Sequence, residues 1–276
     1  MMLRLAIAFI SLILAAGAAG AQEERPPVSE CQLVAETLPK AKFVRFDDSP
    51  SVQPLRLAAA DRTVTITYLG HSTFLIETPG GISIATDYNG WLRSPRMPDV
   101  VTMNKAHSSH YTLAPDPAIA NVLHGWSDTP GEKVVHRVVV GDAYIRNVTT
   151  DIRSFGGFEA NGNSIFIFEV AGLCIGHLGH LHHELTDAHF AEIGRLDVVM
   201  VPVDGGLTMG ADSMSRTVKR LRSALILPMH RRGPPISDFL AMFDQGFDWK
   251  MSDSAAVTVS IATLPQKPLI LVLRGV

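Results

Sequence analysis

Short runs that alternate apolar with polar residues, or are apolar throughout, recur between residues 63 and 176 of this chain, and stretches of helical spacing alternate with apolar runs later. Residues 63–69, 73–77 and 82–86 are β-rich, and Pro79-Gly80-Gly81 between the last two is a hairpin signal. Residues 99–103, 134–140, 144–148, 164–170 and 173–176 repeat the style, with turns at Gly141-Asp142 and Ala171-Gly172. From Leu185 the period changes. Residues 185–193 and 213–221 carry helical spacing, and each stretch precedes a continuous apolar run, 198–203 and 224–229, of the kind buried inside a sheet. The pattern therefore predicts an α/β protein in which a sheet layer is covered by helices.

The N-terminus adds a compartment. Arg4 precedes the apolar run 5–16, and Ala19-Gly20-Ala21 supplies a small-residue cleavage site, so residues 1–21 read as a cleaved secretory signal. A retained anchor is the alternative, although the run is short for a bilayer span. Residues 22–60, rich in Pro, Glu and Ser with an amphipathic piece at 33–38, read as an extension, and 61–276 as one domain. The expected location is periplasmic or secreted, with no stable membrane span after cleavage. A net charge of −3 supplies no basic face for nucleic acid, which leaves a small-molecule substrate as the expected partner. The oligomeric state is open. The chain's two cysteines, Cys31 and Cys174, lack the CxxC spacing of a zinc or redox motif. The two could pair in an oxidising compartment, but because Cys174 falls in the apolar run 173–175 the favoured expectation is two free thiols, the buried one acting as a small hydrophobe.

Eleven histidines are present, and several fall just past predicted strands: His71, His107 and His110, then His177, His180, His182 and His183, and finally His230. Imidazoles at the ends of separate strands can converge on one cleft. The stretch 66–76 around Gly70-His71-Ser72, the pair Thr86-Asp87, His177-Leu178-Gly179 with His183, Val201-Pro202-Val203-Asp204-Gly205-Gly206, and Leu227-Pro228-Met229-His230 follow one another in a single order. Together, over residues 62 to 232, they resemble the metallo-β-lactamase-fold hydrolases, and within them the ascorbate 6-phosphate lactonase-like branch. That resemblance implies a single-domain αββα sandwich with a metal cleft at one edge, where one or two zinc or manganese ions activate water.

The departures from the family pattern reshape the expected site. The central His-x-His-x-Asp-His loop reads Lys105, His107, Ser109 and His110 at the aligned positions. His180 stands where the family has a bridging aspartate, and residues 151–157 lack the histidine that precedes the Gly-Gly pair. The remaining ligand set is His107, His110, His180 and His230, suited to a single Zn²⁺, with Mn²⁺ or another first-row ion as alternatives. His180 either ligates or marks lost metal binding. Asp87 is expected to orient a ligand imidazole, against the plain reading of a turn residue. Lys105 either reaches the cleft, where it would stabilise a developing oxyanion, or points to solvent. His71, His177 and His183 are expected to line the cleft as hydrogen-bonded rings, and His124, His136 and His189 to sit elsewhere. The expected function is an exported metal-dependent hydrolase acting on a lactone, phosphoester or amide. The alternatives are a non-enzymatic metal- or anion-binding protein on the same fold and, third, a metal-free scaffold.

Overall fold

The computed structural model describes residues 28–32 and 62–276, apart from residues 93 and 155. The expected signal at 1–21, its cleavage site, and the amphipathic piece at 33–38 lie outside the described residues.

Two sheets form the body. The first has the order β13(Ala256–Val259), β1(Val64–Gly70), β2(Thr73–Glu77), β3(Ser83–Ala85), β4(Val100–Met103), β5(Asn121–His124). The second runs β12(Asp248–Met251), β14(Leu269–Val272), β11(Leu225–Met229), β10(Val198–Pro202), β9(Leu173–His177), β8(Gly157–Val170), β7(Ala143–Ser154), β6(Arg137–Val140). The hairpin expected at residues 79–81 joins antiparallel β2 and β3, while β3, β4 and β5 run parallel. The continuous apolar runs form parallel β10 and β11 inside the second sheet, every residue of both buried.

Alternation along the strands decides which side chains fill the space between the sheets. Ile66, Phe74, Ile76 and Ile84 of the first sheet meet Phe166, Phe168, Ile175, Met200 and Leu227 of the second, all fully buried. Each such side chain contributes about 1.5–3 kcal/mol by leaving water. Intervening residues on the second sheet, among them Ile165, Ile167, Val199, Val201 and Ile226, face a helical layer. That layer consists of α1(Asp187–Ile193), α2(Ala211–Leu221) and α3(Ile236–Leu240), which bury Ile193, Met214, Val218, Phe239 and Leu240. Thr186 caps α1 through a reciprocal pair with His189, which accounts for His189 without any functional role. On the outer face of the first sheet, Ala85, Val101 and Met103 are covered by loop residues Ile119, Tyr111 and Trp126, with no regular helix there among the described residues. Trp126 stacks on His124 at 4.6 Å, whereas Trp91 stands exposed. The architecture is the αββα-type sandwich that the motif order implied.

Several elements were not predicted. Strand β5 lies inside a polar stretch, and past Met229 the pattern assigned nothing, yet α3 and β12 to β14 complete both sheets. Strands β7 and β8 also extend well beyond their apolar halves, pairing Ile152 with Glu159 and Arg153 with Phe158 across a bulge.

The two cysteines overturn the free-thiol expectation: Cys31 and Cys174 form a disulfide across 143 residues, Cα atoms 5.9 Å apart. Polar contacts of the segment 28–32 bring the thiols together. Glu169 on β8, opposite Cys174 in the β8–β9 register, accepts from the Ser29 hydroxyl at 2.5 Å and from the Glu30 backbone N–H at 2.9 Å. The Arg195 backbone N–H donates to the Cys31 carbonyl at 2.8 Å. Burial of Cys174 in an apolar strand was read correctly; the return of a distant segment to cover it leaves no mark in local pattern.

Candidate metal centre

The carboxyl ends of β1, β3, β4, β9, β10 and β11 open at one edge of the sandwich, and each delivers a polar residue there. Three of those residues, His71, Asp87 and His230, adopt left-handed backbone angles with φ of 51°, 42° and 53°. Non-glycine residues in that region cost about 1 kcal/mol or more apiece and persist where surrounding contacts hold them. Here the His230 N–H donates to the His71 carbonyl at 2.6 Å, and the Tyr68 hydroxyl donates to the same carbonyl at 3.0 Å.

His71, His107, His110 and His230 each offer a ring nitrogen, and these four atoms lie within 4.8 Å of one another. Ring centroids of His107, His110 and His230 are 4.6, 5.0 and 5.8 Å apart, so two imidazoles from the loop after β4 and one from the end of β11 gather in one place. Two rings are held the same way. The His110 Nδ1–H donates to Asp87 Oδ2 at 2.5 Å, and the His230 Nδ1–H donates to Asp204 Oδ2 at 2.8 Å. Their Nε2 atoms are fully buried and have no hydrogen-bond partner. A buried lone pair without a donor is costly, and a carboxylate on the opposite ring nitrogen is the usual way of presenting such a lone pair to a cation. The donor set fits a divalent first-row ion.

Both carboxylates are themselves fixed. Asp87 accepts from Asn104 Nδ2 at 2.9 Å. Burial alone would raise its pKa, but His177, His110 and the hydrogen bonds hold it below the ordinary carboxylate range. Asp204 accepts backbone N–H groups of Gly206, Leu207 and Thr208 and the Thr208 hydroxyl. Against the opposing effect of burial, the His230 contact and these donors hold it well below that range too. Asp204 belongs to the Val201–Gly206 stretch that supported the resemblance, yet no role was predicted for it. Its position just past a buried strand, like that of Asp87, was the available signal. Gly179 is obligatory for a different reason: a Cβ there would sit 2.5 Å from both Asn104 Nδ2 and Asn163 Oδ1.

The remaining predicted residues take distinct places. His71, expected only to line the cleft, adds a fourth ring nitrogen to the cluster. His107 contacts Ser109 Oγ at 2.5 Å, and Ser109 reaches His71 Nε2 at 2.8 Å, so the serine standing in for the loop aspartate bridges two rings. Burial, then neighbouring histidines, lowers the pKa of His71 to about 3 and of His107 to about 4, which keeps their lone pairs free near neutrality. His180 lies beside the group, its centroid 4.8–4.9 Å from those of His107, His110 and His230. Its Nε2 is 3.1 Å from His107 Nε2 and its Nδ1 2.9 Å from His182 Nε2. Lys105 pairs with Glu159 on the extended arm of β8, so its charge is matched by a carboxylate. His177 is structural as expected: one ring nitrogen donates to the Ser72 carbonyl and the other accepts from the Gly179 N–H. His183 accepts from the Asp151 N–H.

This site on this sandwich defines the metallo-β-lactamase class, and comparison with known proteins agrees. A family profile described as the beta-lactamase superfamily domain matches residues 65–230, and the chain belongs to that superfamily. A protein from a Polaromonas species, named as a UPF0173 metal-dependent hydrolase, is 28% identical over 236 residues, covering 66% of this chain and 84% of that one. A Pyrococcus abyssi protein of the same name is 26% identical over 197 residues, covering 63% and 88%. Among solved structures, a Thermotoga maritima zinc-dependent hydrolase candidate of the metallo-β-lactamase superfamily aligns with TM-score 0.53 and 27% identity, over 76% of this chain and 98% of its own.

Proposed function

We propose that this chain is an exported metal-dependent hydrolase of small molecules, built around one first-row ion, with zinc the first choice. The observation that carries this reading is the pair of buried, partnerless Nε2 atoms on His110 and His230, each ring anchored by a buried aspartate. A bound divalent ion supplies Lewis acidity and a nucleophilic water at neutral pH. The chain's own residues do the rest. Asp87 and Asp204 fix ring orientation and tautomer, Ser109 couples His107 to His71, and Asn104 locks Asp87 to β8 through the Ser164 N–H at 2.7 Å.

The names of the relatives support hydrolysis as the reaction class. Export is supported by the signal-like N-terminus and by the Cys31–Cys174 bond, which suits an oxidising compartment. For substrate, Arg231 and Arg232 directly follow His230, are exposed, and pair with no carboxylate among the described residues. Such a pair favours an anionic group on the substrate, in keeping with the lactonase-like branch and its phosphorylated lactones.

The test is chelator-free purification, elemental analysis, and assay of lactones, phosphoesters and amides in anionic and neutral versions. The expected result is metal-dependent turnover that His107→Ala abolishes, with a preference for anionic substrates that Arg231→Gln/Arg232→Gln removes. Metal uptake without turnover on any substrate would instead favour a non-enzymatic binding protein.

A further inference from the structure

His180 replaces a metal-bridging aspartate, and its surroundings dictate where its proton sits. The chain of contacts begins at a group that has no choice: the Arg153 backbone N–H donates to His182 Nδ1 at 2.8 Å. A neutral imidazole has one N–H, so His182 must carry its proton on Nε2. That N–H faces His180 Nδ1 at 2.9 Å, which must therefore accept, and the proton of neutral His180 is left on Nε2. His180 Nε2–H then donates to His107 Nε2 at 3.1 Å. Each ring uses its Nδ1 as an acceptor and so carries a single proton, on Nε2. His180 is 3% exposed, its backbone N–H is bonded to Asn163 Oδ1 at 2.8 Å, and its plane is nearly perpendicular to those of His107, His110 and His230.

A protonated Nε2 has no lone pair for a metal. We propose that His180 is not a ligand but a hydrogen-bond donor to the substrate oxygen on which charge develops, and that His182 is the residue that positions it. The proposal rests on the hydrolase reading above and assigns the missing aspartate's place a different role. When an ion takes the His107 lone pair, the N–H of His180 loses its present acceptor and is free for a substrate oxygen beside the ion. No proton is transferred in this role; the ring stays neutral and stabilises negative charge electrostatically. Arg153 is firmly placed for the purpose, since its guanidinium donates to the carbonyls of Gly206 and Thr208 and ties the β7–β8 arm to the loop that carries Asp204.

Three measurements test this. In histidine-labelled protein loaded with zinc, ¹⁵N NMR is expected to show His180 protonated at Nε2; a lone pair or metal bond at that nitrogen overturns the proposal. In cobalt-substituted protein, His180→Ala is expected to keep cobalt affinity within about threefold and leave the visible spectrum unchanged, while kcat falls on the order of 100-fold, as for loss of one oxyanion donor. His107→Ala is expected to lose the cobalt itself. Cobalt loss in His180→Ala equal to that in His107→Ala makes His180 a ligand and ends the proposal while leaving the hydrolase intact. His182→Gln can accept from Arg153 and donate to His180 in the same sense, so it is expected to retain kcat, whereas His182→Leu is expected to lower kcat about tenfold with KM unchanged. Equal loss in both variants reduces His182 to packing and contradicts its positioning role. A wild-type chain that takes up no metal and turns nothing over defeats the functional reading, and this inference with it.

Discussion

Asp87 and Asp204 do the same work from different sheets, each at a strand's carboxyl end and each holding the Nδ1–H of a buried imidazole. Their difference is in what holds them. Asp87 leans on Asn104, whereas Asp204 gathers three backbone N–H groups and a hydroxyl. Asp204→Asn therefore disturbs both the His230 tautomer and the 204–208 loop, and metal affinity is expected to fall about 10- to 100-fold, measured by competition with a chromophoric chelator. Sequence reasoning gave Asp87 an orienting role and gave Asp204 none, although both stand in motif context just past a strand, because only the first matched a position to which the resemblance attached a function. It also gave His71 only a lining role, since nothing in Gly70-His71-Ser72 announces the left-handed backbone at the residue whose ring nitrogen joins the cluster. Titration follows from the same burial. His182 has a folded-state pKa of about 4, below the ordinary 6.5, so the unfolded chain binds its proton more tightly. Stability from this residue is present above pH 6.5 and drains away as pH falls toward 4. The metal-free protein is expected to lose about 1 kcal/mol from this group between pH 7.5 and 5, solvent screening included, and His182→Gln to flatten that part of the urea-midpoint profile.

Among the elements, the apolar strands were legible because their periodicity is that of the sheet itself. Strands β10 and β11 were read nearly to the residue, as were helices α1 and α2. Other elements owe their form to partners. Strand β12 is exposed at every position and exists by pairing with β14, and the polar ends of β7 and β8 extend by pairing with each other. The segment 28–32 is the extreme case, fixed by Glu169 and a disulfide to a strand about 140 residues away. Closing so long a loop constrains the unfolded chain, and Cys31→Ser is expected to cost about 2–4 kcal/mol in urea titration. The bond sits at the start of β9 and His177 at its end, so metal content of that variant is expected to be unchanged; loss of metal would show that the strap reaches the site.

For the molecule as a whole, the two sheets act as a frame that holds six strand ends at one edge, and the clustered imidazoles come from both sheets. His71, His107 and His110 leave the first sheet, and His230 leaves the second. Fold and edge could be anticipated from the order of motifs. Which nitrogens face inward could not, because tautomer and ring orientation are set by aspartates, a serine and a backbone N–H from elsewhere in the chain. The central claim is that His107, His110 and His230 hold a single cation. Anomalous diffraction from crystals of the chelator-free protein tests it most directly. The account predicts one transition-metal peak about 2.0–2.1 Å from both His110 Nε2 and His230 Nε2, the usual zinc–imidazole distance. Crystals soaked in zinc that show no peak between these rings would contradict it.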